Sequence, residues 1–99
     1  MYKITKIDVN VLEKPLSRLY GTANIVLDNV MAINGIKIIK LEDRFCVAFP
    51  RDENARKHGR ETIVPLTPEA RFVFENAILR KFYVEAKIKY GRYYSWYFV

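Results

Sequence analysis

Residues 22–41 read TANIVLDNVMAINGIKIIKL, and this stretch decides the fold. Two mainly apolar runs flank Asp28-Asn29, a pair that favours turns because both residues tolerate the left-handed backbone and bond to nearby main chain. Apolar runs joined by such a pair predict a β-hairpin. Asn34-Gly35 interrupts the second run, and we interpret it as a β-bulge within one long strand rather than a second tight turn.

Further strands are predicted on both sides of this hairpin. In residues 5–11 apolar side chains alternate with polar ones, which predicts a strand with one face in a core and one in water. A polar loop containing Pro15 follows that strand. Residues 44–49 are apolar on both faces, which favours a central strand ended by Pro50. Residues 62–64 predict a short fifth strand.

A helix is predicted to begin after these strands. Thr67 is a favourable N-cap, Pro68 suits the first helical position, and Glu69 lies near the positive end of the helix dipole. One apolar stripe at helical spacing should pack on the sheet, and it consists of Ala70, Phe74, Ala77 and Ile78. A second apolar patch is expected to face elsewhere, and it consists of Phe72, Leu79 and Tyr83. The predicted fold class is α+β: an antiparallel sheet of four to five strands with one C-terminal helix and an aromatic C-terminal tail.

The length and composition predict one domain in a reducing compartment. Ninety-nine residues suffice for a single domain, with a core over residues 1–83 and a basic, aromatic tail over residues 84–99. No apolar run approaches the roughly 18 residues that a membrane span needs. The single cysteine, Cys46, has no partner for an internal disulfide, so we expect a cytoplasmic protein without a membrane partner.

The positive charge is concentrated in two short segments. The net charge is +6, and residues 51–60 hold four basic and two acidic side chains, while residues 80–92 hold five basic and one acidic. The rest of the chain holds equal numbers of basic and acidic side chains. This distribution is typical of a surface that binds a polyanion, although an ordinary solvated surface would also explain it.

The sequence lacks the patterns of enzymes and metal sites. One cysteine and one histidine, His58, cannot supply the ligand set of a structural zinc site. The glycines are isolated, so no phosphate-binding glycine loop is present. We therefore expect no catalytic residues, no metal, no cofactor and no small-molecule substrate.

The remaining pattern places basic side chains beside aromatic rings. Lysine and arginine neutralise phosphates, and flat rings can stack on unpaired bases. The exposed basic loop of residues 51–60 is the first candidate site, because no burial demand competes with its charges. A second candidate lies in the tail and comprises Lys87, Lys89, Arg92 and Trp96. We expect the aromatic rings of the tail to pack against the helix of this chain rather than to stack on bases.

Six short segments resemble the stage V sporulation protein G (SpoVG) septation-regulator family. They are Ile7-Asp8-Val9, the run ANIVLDN at 23–29, Ile36-Lys37-Ile38-Ile39, the run FCVAFP at 45–50, the Gly-Arg-Glu of the approach to Pro65, and the helix at 71–82 with Ala77-Ile78-Leu79. Their order and spacing are similar to those of the family from residue 2 to about residue 83.

This resemblance implies a compact α+β domain that forms a homodimer and regulates septation or sporulation by binding DNA or RNA in the bacterial cytoplasm. The family's contacts are attributed to the basic loop after the proline-ended strand, which here corresponds to Arg51, Arg56, Lys57 and Arg60. The alternative is a protein-interaction module that uses the aromatic tail and the second apolar patch of the helix. High salt distinguishes the two, because phosphate contacts weaken steeply with salt and apolar contacts do not.

Overall fold

Four antiparallel strands form a sheet in the order β1-β2-β3-β4, and a long helix packs on one of its faces. This architecture comes from a computed structural model that describes residues 3–42, 44–51, 53–59 and 65–91. The strands are β1 (Ile4–Leu16), β2 (Leu19–Leu27), β3 (Met31–Lys40) and β4 (Phe45–Ala48), and the helices are α1 (Glu53–Lys57) and α2 (Pro68–Tyr90). The predicted α+β class is confirmed. The predicted strand at residues 62–64 lies outside the described residues.

The hairpin and bulge predicted from residues 22–41 are both confirmed. Asp28 and Asn29 adopt φ angles of 51° and 57°, and β3 returns antiparallel to β2. Further along, one residue of β2, Asn24, lies opposite two residues of β3, so Asn34-Gly35 forms a bulge. Gly35 has a φ of 77°, and its N–H donates to Oδ1 of Asn24 at 3.0 Å. Glycine suits the bulge because it adopts this backbone without steric cost.

The loop predicted around Pro15 is wrong. β1 continues through Pro15 to Leu16, and the turn to β2 is confined to Ser17 and Arg18. Among the strands that the structure describes, β1 is at the edge, where a residue without an N–H need not break a ladder bond. The pairing of β1 with β2 is also irregular between Val11 and Leu16, which accommodates the proline.

The start of α2 agrees with the sequence prediction. Thr67 Oγ1 accepts a hydrogen bond from the N–H of Ala70 at 3.1 Å, and Pro68 is the first helical residue. The helix ends at Gly91, which has a φ of 63° and donates its N–H to the carbonyl oxygen of Lys87 at 3.0 Å. Residues 84–90 of the segment assigned to the tail are therefore helical, while residues 92–99 lie outside the described residues.

The division of the helix into two apolar patches is wrong. Leu79 and Tyr83, assigned to the second patch, are buried in the same core as Phe74 and Ile78. The ring of Phe45 explains this broad buried face, because its centroid lies 5.1 Å from that of Phe82 and 5.9 Å from that of Tyr83. Aromatic side chains thus bring nearly half of the helix circumference onto the sheet, and only Phe72 of the predicted patch stays half-exposed.

The central position predicted for residues 44–49 stays a prediction, because the predicted strand at residues 62–64 lies outside the described residues. Among the described strands, β4 borders β3 and is only four residues long. Its Val47 N–H donates to a carboxylate oxygen of Glu75 on α2 at 3.1 Å. A side chain of the helix therefore satisfies a main-chain group of β4 and ties this strand to α2.

Candidate nucleic-acid interface

One face of the sheet is covered by α2, and no described helix or strand packs over the central part of the opposite face, which we call the open face. Successive residues of a strand point to opposite faces. Ile36, Ile38 and Val47 belong to the core beneath α2, so Lys37 and Ala48, which alternate with them, point to the open face. Lys37 is exposed there, directly opposite Thr22 of β2 and Ala48 of β4.

An open groove of about 580 Å³ lies on this face, where β3 and β4 meet the segment that follows β4. Its sheet side is lined by Gly35, Lys37, Ile39 and Ala48. Its other side is lined by Pro50, Arg51 and Arg56. Gly35 and Ala48 are small residues, so they leave room for a ligand between the long basic side chains. We call this feature the basic groove.

Phe49 holds the far side of the basic groove in place. Its side chain is buried, and its ring meets the ring of Phe74 of α2 edge-on at a centroid distance of 6.0 Å. The guanidinium carbon of Arg71 lies 5.4 Å from the centroid of the Phe49 ring, close enough for a cation–π contact. These contacts fix the chain immediately before Pro50 and Arg51, so α2 positions the rim of a groove that lies on the other face of the sheet.

Residues 51–60 were predicted as a loop, and the structure instead contains the short helix α1 within them. Apolar periodicity did not reveal it, because the described side chains of α1 are exposed. Its charges follow the helix dipole, with Glu53 in the first turn and Arg56 and Lys57 in the last. Gly59, with a φ of 66°, follows the helix and donates its N–H to the carbonyl oxygen of Arg56 at 3.2 Å. The order of these charges and the glycine that follows them were the sequence signals that could have predicted this helix.

The structure brings together two of the four residues predicted in the first candidate site. Arg51 and Arg56 line the basic groove, whereas Lys57 is exposed on α1 without lining it. Arg60 lies outside the described residues. Sequence reasoning missed Lys37 because a lysine between two isoleucines is the ordinary solvent-facing residue of a strand. Its proximity to Arg51 and Arg56 follows only from the pairing of β3 with β4.

The second candidate site is not part of this groove. Lys87 and Lys89 are exposed in the last turns of α2, which covers the opposite face of the sheet. Basic residues at that position also interact favourably with the negative end of the helix dipole, which gives them a structural role. Arg92 and Trp96 lie outside the described residues.

The groove can bind an anion by charge, because the described residues that line it include three cations and no acidic side chain. Neither Lys37, Arg51 nor Arg56 forms an ion pair with an acidic residue that the structure describes. His58 is engaged locally, with its Nδ1 2.9 Å from the carbonyl oxygen of Asn54. Over the described ranges no cluster of three or more metal-ligating side chains occurs, and none of the helices there has the length and apolarity to cross a membrane.

Sequence comparisons with known proteins cover the part of the chain that forms the groove. The model of the SpoVG family matches residues 2–84, which include all residues that line the basic groove but not Lys87 or Lys89. A protein of Phytoplasma australiense named "Putative septation protein SpoVG" is 31% identical over 80 residues, which are 81% of this chain and 82% of that protein. The chain therefore belongs to the SpoVG family.

Proposed function

We propose that this chain is a non-enzymatic, nucleic-acid-binding regulator of the septation and sporulation type that acts in the bacterial cytoplasm. The name of the Phytoplasma relative supports the septation role. The single observation that carries nucleic-acid binding is the convergence of Lys37, Arg51 and Arg56 on one open groove.

The proposed mechanism is neutralisation of backbone phosphates. Each lysine or arginine that contacts a phosphate releases condensed counterions, so affinity falls as salt rises. No aromatic ring is among the described residues that line the basic groove, so these residues would bind through charge and not by stacking on bases. Such contacts fix the position of the nucleic acid without themselves reading its sequence.

Binding of wild-type protein to three probes tests this function. Fluorescence anisotropy with an end-labelled DNA duplex, a DNA single strand and an RNA strand should show binding at low salt. Three phosphate contacts predict that affinity for duplex DNA falls by about 40-fold between about 50 and 200 mM salt. No binding to any probe at low salt would overturn the proposal and favour the protein-interaction module.

We also propose that the chain acts as a homodimer, as the family resemblance implies. Exposed apolar side chains near the start of α2 support this, since Leu66 is 91% exposed and Val73 and Phe72 are each about half-exposed. A second copy would remove this apolar surface from water. Light scattering coupled to size exclusion should report about twice the chain mass of 11.7 kDa. A monomer at micromolar concentration would rule the dimer out.

A further inference from the structure

We infer that Lys37 of β3 contacts a backbone phosphate of the bound nucleic acid, so that the interface extends from the segment after β4 onto the open face of the sheet. This inference rests on the proposed function and assigns a new residue to it. The residues implied by the family resemblance all lie after β4, in residues 51–60, whereas Lys37 belongs to the sheet itself.

The backbone of β3 fixes the direction of this side chain. Ile36 and Ile38 on either side are fully buried beneath α2, so they cannot turn to the open face without leaving the core. Lys37 must therefore point to the open face, because neighbouring residues of a strand face opposite ways. The two buried isoleucines therefore fix the position of Lys37 on the sheet.

The neighbours of Lys37 on that face are small or lie at the rim of the groove. Ala48 is its cross-strand partner on β4, and Gly35 precedes it by two residues on β3. Neither side chain is large enough to separate the ammonium group from the groove. The bulge contributes directly, because Gly35 adopts its φ of 77° at the groove wall, where a larger residue would be strained.

The charges converge from three separate elements. Lys37 comes from β3, Arg51 from the segment after β4, and Arg56 from α1. Like charges repel, and none of the described residues that line the groove is acidic and could offset this repulsion. An anion between them would relieve the repulsion, and successive phosphates of a nucleic-acid backbone supply several such charges along one path.

The test compares Lys37→Gln with a variant that loses the same charge elsewhere. Lys14 is exposed on β1, at the opposite edge of the sheet, so Lys14→Gln is the matched control. Lys37→Arg keeps the charge and serves as the conservative variant. Circular dichroism and thermal unfolding of all three should match wild type, because these are exposed side chains.

Binding is measured by anisotropy on the duplex DNA, single-stranded DNA and RNA probes over a salt series. Lys37→Gln should weaken binding by a similar factor for every probe, and the slope of log affinity against log salt for duplex DNA should become shallower by about one unit. Lys37→Arg should restore the wild-type slope, and Lys14→Gln should leave it unchanged.

The outcomes separate this inference from the proposed function. If wild type binds and Lys37→Gln keeps both its affinity and its slope, the interface does not reach the sheet, although the proposed function stands. An equal loss in Lys37→Gln and Lys14→Gln would also overturn the inference, because general charge would then explain it. If wild type binds none of the probes, both proposals fail.

Discussion

Phe82→Ala should lower the free energy of unfolding by about 3–5 kcal/mol, the cost of removing a large aromatic side chain from a packed core. Phe82 is the largest fully buried side chain that the structure describes. Its ring centroid lies 5.1 Å from that of Phe45 on β4 and 5.7 Å from that of Tyr83. It therefore joins α2 to the sheet at the centre of the core.

The cavity left by this substitution would not refill easily. Gly21 of β2 lies against the Phe82 ring, and a Cβ built on Gly21 would be 3.4 Å from that ring. The same Cβ would be only 2.7 Å from the carbonyl oxygen of Asn10, so the close packing of the strands requires glycine here. Because no side chain at position 21 can move into the space, the cost should fall in the upper part of that range.

Urea denaturation monitored by circular dichroism measures this effect. Ile88→Ala is the control, because Ile88 lies on the same helix with 71% of its surface exposed and should change stability by under about 0.5 kcal/mol. Equal losses in the two variants would mean that α2 does not pack through Phe82.

The triple variant Arg51→Ala/Arg56→Ala/Lys57→Ala should lose most of its affinity for nucleic acid and remain folded. Arg51 and Arg56 line the basic groove, and Lys57 is exposed beside Arg56 on α1. Non-specific affinity for nucleic acid comes almost wholly from phosphate contacts, so removing these cations removes its main source. Each exposed side chain should change stability by under about 0.5 kcal/mol.

A variant with the same loss of charge on α2 is the matched control. Lys81, Lys87 and Lys89 are exposed on the helix that covers the other face of the sheet. Replacing them together with alanine removes three positive charges without touching the basic groove. This control should lose far less affinity than the triple variant. The opposite result would move the binding site to the C-terminal part of the chain.

Local signals in the sequence were sufficient to predict much of the fold. Asp28-Asn29 specifies the turn between β2 and β3, and Asn34-Gly35 specifies the bulge in β3. Thr67-Pro68 specifies the start of α2. In each case the chemistry that determines the structure lies within a few residues, so no knowledge of the rest of the chain was needed.

Features that depend on distant parts of the chain were not predictable in this way. The pairing of β4 with β3, for example, depends on contacts between separate strands and not on a local pattern. The burial of Leu79 and Tyr83 depends on where Phe45 lies, 34 and 38 residues earlier in the chain. The spacing of apolar residues along a helix predicts only a narrow buried stripe, so it did not reveal that these two side chains are buried as well.

The candidate site was predictable only in part for the same reason. Arg51 and Arg56 stand out as members of a basic segment, whereas the contribution of Lys37 follows from the register that places it opposite Ala48. A single lysine in a strand carries no signal of its own. Lys37 becomes part of the basic groove only because β3 pairs with β4, a strand that follows later in the chain.

The slope of log affinity against log salt, measured for wild type and the triple variant on one DNA duplex, tests the central claim most directly. Each phosphate contact contributes about 0.9 to this slope, and the triple variant loses two of the three groove cations, so we expect it to be shallower than wild type by about 2 units. The charge-matched variant of α2 should keep a slope within about one unit of wild type. Equal slopes for wild type and the triple variant would contradict the claim that the basic groove binds the nucleic-acid backbone.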